Sequence, residues 1–221
     1  ADGLVVFANT NKELRHRGFV ALVVEKGAKG RATQKLPGKM GLRGSSTVPL
    51  TFENCELPLD ALLGKEGEGF RLAMTALDGG RIGISDQACG VDRAAIEASV
   101  RYAKDRKAFG RPIGEFQALR FMLADMQTQL DAAQLLCLRA ASLKEAGRPF
   151  TREASMAKLF ASEMSNRVCD RAVQIHGGYG YIDEFPVERY LRDARVQTIY
   201  EGTSEVQRLV IAREVIKAAS P

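Results

Sequence analysis

Three stretches of the 221-residue chain have side chains of the type and spacing that could do chemistry. The first is Ile199-Tyr200-Glu201-Gly202-Thr203-Ser204-Glu205-Val206-Gln207, in which a carboxylate sits among apolar and aromatic neighbours. It is followed by glycine and by a Thr or Ser suited to capping a helix. Burial in such a setting pushes a carboxyl group toward neutrality, the range a general base needs. The alternative is an ordinary first-turn or capping carboxylate. The second stretch is Asp105-Arg106-Lys107-Ala108-Phe109-Gly110-Arg111-Pro112, where cations and an aromatic ring end a helical segment. Cations there either complement the helix dipole or clamp a pyrophosphate, a task that suits the planar guanidinium of Arg106. The third is Gln174-Ile175-His176-Gly177-Gly178-Tyr179-Gly180-Tyr181. It either closes a helix or lets a phosphate or ring approach backbone N–H groups. It lacks the spacing of a dinucleotide fingerprint, and no strand precedes it. His16 and His176 are too isolated for a catalytic triad or a metal site, so no metal is expected.

The elements that must position these stretches change character along the chain. Residues 1 to about 63 carry short β-type runs, such as Leu4-Val5-Val6-Phe7 and Phe19-Val20-Ala21-Leu22-Val23-Val24, between glycine-rich and polar turns. From about Glu68 helical spacing takes over, and Pro112, Pro149 and Pro186 divide that region into four helical segments. In the second segment Leu119, Leu123, Met126, Leu130, Ala133, Cys137 and Ala140 form one apolar stripe. In the third, Ala157, Ala161, Met164, Val168 and Ala172 form a stripe of mostly small residues that permits close helix approach, with Thr151 as the expected cap. The first segment contains Gly79, Gly80, Gly83 and Gly90, each costing about 1 kcal/mol relative to alanine. Close approach of a backbone or ligand, or a kink, accounts for them. The fold class expected is mainly α: a carboxy-terminal four-helix bundle over residues 67–221 preceded by part of a β domain over residues 1–66, α+β overall. The few strands cannot cover both faces of a sheet, so an amino-terminal portion is expected to be missing.

The formal charge of +5 could favour anionic partners, but the 32 basic residues are interleaved with 27 acidic ones, as on solvated helix faces. No Lys/Arg block stands apart, which argues against nucleic acid. No run approaches the roughly 20 apolar residues of a membrane span, and no secretory pattern opens the chain, so a soluble internal protein is expected. Cys55, Cys89, Cys137 and Cys169 form no C-x-x-C pair and read as buried thiols in a reducing compartment.

In order and register, the chain resembles the acyl-CoA dehydrogenase family over essentially its whole length. The motifs are M-G-L-R-G-S-S-T (Met40 to Thr47), L-D-G-G-R-I-G (Leu77 to Gly83), D-R-K-A-F-G-R-P (Asp105 to Pro112), Q-I-H-G-G-Y-G-Y (Gln174 to Tyr181), R-D-A-R (Arg192 to Arg195) and I-Y-E-G-T-S-E-V-Q (Ile199 to Gln207). The short-chain, butyryl-type pattern is the nearest, and branched-chain members share much of it. The resemblance implies an amino-terminal helical domain, a middle β domain and a carboxy-terminal four-helix bundle, assembled as a homotetramer of paired dimers. This chain matches the end of the middle domain and the bundle. FAD is the implied cofactor, lying between the two domains and reaching the neighbouring subunit.

By position, the resemblance implies flavin contacts at Arg106, Phe109 and Gln117, at Gln174, Ile175, His176, Gly177 and Gly178, and at Thr203, Ser204 and Glu205. It implies acyl-CoA contacts at Asp78, Gly79, Gly80, Arg81 and Gly202, and Glu201 as the catalytic base. The implied reaction, in fatty acid β-oxidation, is removal of the thioester α-proton by Glu201 and of the β-hydrogen as hydride, giving a trans-2-enoyl-CoA. Electron-transfer flavoprotein is the implied electron acceptor. The location would be the bacterial cytoplasm or the mitochondrial matrix. Competing expectations are an oxidase or a nucleic-acid-binding relative on the same fold, or a catalytically incomplete fragment.

Overall fold

A computed structural model describes residues 1–219 and divides the chain into two compact units. The first comprises residues 1–39 and 43–77. Its strands β1 (Gly3–Asn9) and β2 (Phe19–Glu25) pair antiparallel with Val6 opposite Leu22. After the ribbon of β3 (Arg31–Thr33) and β4 (Leu50–Phe52), β5 (Leu62–Leu63) adds to β2, giving the sheet order β1-β2-β5. Only Val20, Ala21, Val24 and Ala61 form its buried apolar core, and Val5 and Phe7 remain exposed on β1. So short a sheet cannot cover two faces, as the sequence implied. Gly69, which opens helix α1 (Gly69–Asp105), sits where a Cβ would meet the Val20 backbone carbon at 2.5 Å, so glycine lets α1 start against β2.

The second unit comprises residues 40–42 and everything from Asp78 onward. It contains the rest of α1, then a short hairpin of β6 (Lys107–Ala108) and β7 (Arg111–Pro112), followed by α2 (Gln117–Glu145), α3 (Thr151–His176), α4 (Val187–Ala194) and α5 (Ser204–Ala219). Both expected stripes face the core: Met126 through Ala140 on α2 and Ala157 through Ala172 on α3 are buried at the expected positions, with Leu119 and Leu123 partly so. Cross-links between Arg139 and Glu153, Gln129 and Arg167, and Asp125 and Arg171 run in opposite senses along α2 and α3, so these helices are antiparallel. Links from Asp78 to Thr151, Arg81 to Ser155 and Asp92 to Cys169 ascend together, so α1 and α3 run parallel. Two family-like motifs meet here. Leu42 N–H donates to Asp193 Oδ1 at 2.6 Å, Arg192 Nη1 donates to the Met40 carbonyl at 2.9 Å, and a Cβ on Gly41 would collide with the Arg192 carbonyl.

Three expectations need correction. The fourth helical segment is broken into α4 and α5 by residues 195–203, because Glu201 and Gly202 adopt left-handed φ values of 55° and 91°. Thr151 does not cap α3; it is the first helical residue, and its hydroxyl donates to Asp78 Oδ2 at 2.5 Å instead. Helix α1 runs unbroken through Gly79, Gly80, Gly83 and Gly90. Cys89, Cys137 and Cys169 are buried, but Cys55 is only partly so. Among the described residues no helix is long and apolar enough to cross a membrane. The end of the expected 67–221 segment, residues 220 and 221, lies outside the described residues.

Candidate active site

Glu201 sits in the turn between α4 and α5, and its left-handed backbone is unfavourable for a residue with a Cβ. Buried polar side chains hold that turn. Gln207, with no exposed surface, donates Nε2 to the carbonyls of both Glu201 and Gly202 at 3.1 Å. Lys158 on α3, equally buried, donates Nζ to the Gly202 carbonyl at 2.6 Å. Tyr200 O–H donates to Gln87 Oε1 on α1 at 2.7 Å. Thr203 then caps α5, its Oγ1 accepting from the Val206 N–H at 3.4 Å.

The Glu201 side chain lies over α1. A Cβ on Gly80 would come within 2.6 Å of Glu201 Oε2, so only glycine at that position leaves room for the carboxylate. Oε2 is buried without a hydrogen-bond partner in the chain. An orphaned carboxylate oxygen is costly in a purely structural role, which makes Glu201 a candidate functional group. Beside it, Arg81 Nη1 donates to Asp78 Oδ1 at 2.7 Å and to Ser155 Oγ at 3.3 Å, and Thr151 fixes the other Asp78 oxygen. Of the expected acyl-CoA residues on α1, Gly80 thus meets Glu201, while Asp78 and Arg81 are tied to α3 through Thr151 and Ser155. Burial, and then the Arg81 cation, depress the Lys158 ammonium to about 8, against the opposing pull of Glu201, Glu163 and Glu205.

Two clefts take up most of the other expected residues. A cavity of about 490 Å³ is lined by Arg106, Ile175, His176, Gly177 and Gly178 with Tyr102 and Tyr179. Gly177 ends α3 at a φ of 60°, and a Cβ on Gly177 or Gly178 would meet nothing within 4 Å. This turn is therefore both a helix terminus and an open wall. His176 stacks on Tyr102 with ring centroids 4.3 Å apart, and its Nδ1 hydrogen-bonds the Ala172 carbonyl at 2.8 Å. Burial holds the imidazole below its usual range, hence neutral at pH 7. The Arg106 guanidinium lies 5.6 Å from the centre of the Tyr179 ring. The second cleft, about 400 Å³, is lined by Thr203, Ser204 and Glu205 with Ile199, Asn166 and Arg195. There Ser204 Oγ is buried without a partner. Backbone and Thr203 hydrogen bonds hold the Glu205 carboxyl below its usual range. The two clefts share no lining residue. Phe109 is 95% exposed at a φ of 52°, and Gln117 and Gln174 are exposed; none of the three lines either cleft. Among the described residues no cluster of His, Cys, Asp and Glu could hold a metal.

Sequence reasoning missed Lys158, Gln207 and Gln87. A signal existed for Lys158. Ala154, Lys158, Ala161, Ser165, Val168 and Ala172 follow steps of four and three along α3, so a lysine stands in a stripe of otherwise small and apolar residues.

Residues 67–216 match the family model described as acyl-CoA dehydrogenase, C-terminal domain. The chain is 50% identical over 217 residues to an acryloyl-CoA reductase (NADH) of Anaerotignum propionicum, covering 98% of this chain and 55% of that protein. It is 48% identical over 218 residues to the human mitochondrial short-chain specific acyl-CoA dehydrogenase, covering 99% of this chain and 53% of that one. The structure of butyryl-CoA dehydrogenase from Megasphaera elsdenii superposes with a TM-score of 0.96 at 45% identity, over 98% of this chain and 56% of that chain. The chain therefore spans about half the length of these relatives.

Proposed function

The chain belongs to the acyl-CoA dehydrogenase family, and from that premise we propose that it carries the base and part of the cofactor site of an enzyme that oxidises short-chain acyl-CoA thioesters to trans-2-enoyl-CoA. The observation that carries this reading is Glu201, whose buried carboxylate oxygen has no partner and is seated over a glycine. A thioester α-proton is weakly acidic, so its transfer needs a base within reach and stabilisation of the enolate oxygen. Glu201 takes the proton, and its own backbone N–H is the donor this chain offers to the carbonyl oxygen. Asp78, Gly79, Gly80, Arg81 and Gly202 line the acyl-CoA side.

The cofactor is FAD, which supplies the acceptor for the β-hydrogen as hydride. The residues fit it: Arg106 beside an open glycine turn suits a pyrophosphate, and the unpartnered Ser204 hydroxyl offers a hydrogen bond. Arg106 and residues 175–178 line one cleft and residues 203–205 another, a separation that supports one FAD meeting the two sets on different subunits. Phe109, Gln117 and Gln174, exposed in the single chain, join it there. On this reading the enzyme is a homo-oligomer, a tetramer as a dimer of dimers, with electron-transfer flavoprotein as electron acceptor. A second reading, reduction of a 2-enoyl-CoA through the same residues, is favoured by the 50% identity to an acryloyl-CoA reductase.

The test is Glu201→Gln in the flavin-loaded enzyme. Flavin and butyryl-CoA binding should persist while flavin reduction slows by about 10²- to 10⁴-fold. Near-normal reduction would remove Glu201 as the base.

A further inference from the structure

A lysine with no exposed surface inside a helical bundle calls for a reason, because burying an ammonium is among the costliest choices a core can make. Lys158 projects from α3 onto the carbonyl of Gly202, at 2.6 Å. That carbonyl also receives Gln207 Nε2, whose second contact is the carbonyl of Glu201. Two successive carbonyls of the left-handed Glu201–Gly202 segment are therefore held by side chains from two helices, α3 and α5. Neither lysine nor glutamine touches the Glu201 carboxylate through these bonds. Both act on the backbone that carries it.

We infer that Lys158 is a positioning residue for proton abstraction: through the Gly202 carbonyl it holds the turn that seats the Glu201 carboxylate over Gly80. The inference rests on the assignment of Glu201 as the base. Energetically, the left-handed conformation at Glu201 would relax toward an ordinary one without its fastenings, and the carboxylate would leave its place over α1. A hydrogen bond from an ammonium is stronger than one from a neutral donor, so Lys158 is the firmer of the two fastenings. The charged groups around it are Arg81 from α1, Glu163 from its own helix, Glu201 from the turn and Glu205 from α5. Its depressed value of about 8 leaves it mostly protonated at pH 7. A purely structural reading is weaker, since an apolar side chain of similar volume would fill this core position at lower cost.

The experiment measures proton transfer apart from hydride transfer. The enzyme is loaded with flavin, the flavin is held reduced, and loss of the α-proton signals of butyryl-CoA in heavy water is followed by NMR. Lys158→Met, close in volume, should slow this exchange by about 10- to 100-fold, the scale of a slight misplacement of a reacting group. Butyryl-CoA affinity and flavin content should be unchanged, and the melting temperature should stay level or rise because a buried cation has gone. Lys158→Gln, which is shorter but keeps a donor, should also slow exchange while remaining folded. Wild-type exchange in both folded variants would overturn the proposal. So would exchange that falls only in step with melting temperature and flavin content, or failure of both variants to fold, since each would assign Lys158 to the fold. Glu201→Gln serves as the separate control: if it retains exchange, the base assignment fails, whereas loss of exchange there with wild-type exchange in Lys158→Met sinks the positioning role alone.

Discussion

The turn at Glu201 and the turn at Gly177 both break a helical run with left-handed backbone, yet they are built in opposite ways. At Glu201 the residue is not glycine, and Lys158, Gln207 and Tyr200 fasten the segment while Gly80 clears space for one side chain. At Gly177 and Gly178 the residues are glycine, the backbone is unstrained, and the space where side chains would lie is open. The first turn is closed around one carboxylate. The second is open. A left-handed residue with a Cβ persists only where its surroundings over-determine it, whereas glycine takes the same conformation without such fastening.

The contrast breaks most sharply at Gly80. A Cβ there would lie 2.6 Å from Glu201 Oε2, so Gly80→Ala must displace the carboxylate while raising the intrinsic helix propensity of α1. Flavin reduction by butyryl-CoA should fall by at least about 10²-fold, with flavin content and helicity retained. Stopped-flow bleaching of the flavin beside circular dichroism checks it. Unimpaired reduction would show that the carboxylate works from another position.

A buried acid away from both turns supplies the control. Asp92 on α1 is fully buried in the bundle core, with Oδ2 unpartnered and Oδ1 3.9 Å from Cys169 Sγ. Burial raises its pKa from 3.8 to about 7, against smaller opposing hydrogen bonds from Ser165 and Cys169. The folded state then holds the proton more tightly than the unfolded one. Its stabilising contribution is complete below about pH 4, declines as pH rises, and is gone once pH passes the folded value of about 7. The loss is on the order of 4 kcal/mol. Asp92→Asn should flatten the dependence of the urea midpoint on pH across that window and leave the variant the more stable protein above it. Proton exchange from butyryl-CoA should be untouched. A variant with the wild-type slope would place the titration elsewhere.

Where the physics is local, the sequence was readable. The stripes of α2 and α3 are periodic, and burial follows period. The glycine-rich turn and the Glu201 stretch announce themselves by composition. What the sequence hid depends on which residues meet across the fold. Thr151 looks like a cap by its place after Pro149, but Asp78, far away in sequence, takes its hydroxyl. Gly80 reads as a helix weakness until Glu201 is seen against it. Lys158 and Gln207 become comprehensible only once the carbonyls they fasten are located. The break between α4 and α5 carries no proline: the capping Thr or Ser after Gly202 marked where α5 begins, but the left-handed backbone that makes the break is not legible in the spacing.

The smallest expected effect on the fold is at the open turn, and it separates fold from function most cleanly. Gly178→Ala adds one methyl where nothing of the chain lies within 4 Å, at a glycine whose φ is not left-handed. No atom must move and no backbone strain is introduced, so the stability of the flavin-free protein should change by no more than is typical of surface substitutions, about 0.5 kcal/mol. If the cleft beside Arg106 receives the cofactor of a neighbouring subunit, that methyl instead meets the ligand, and flavin retention and assembly should weaken together, because a ligand bound across an interface stabilises the assembly by mass action. Flavin absorbance across a gel-filtration profile reads both at once. Weakened retention with unchanged stability would confirm that the space is kept for a ligand. Unchanged retention would mean that the glycine serves only the end of α3, and the two turns would then differ in strain but not in purpose.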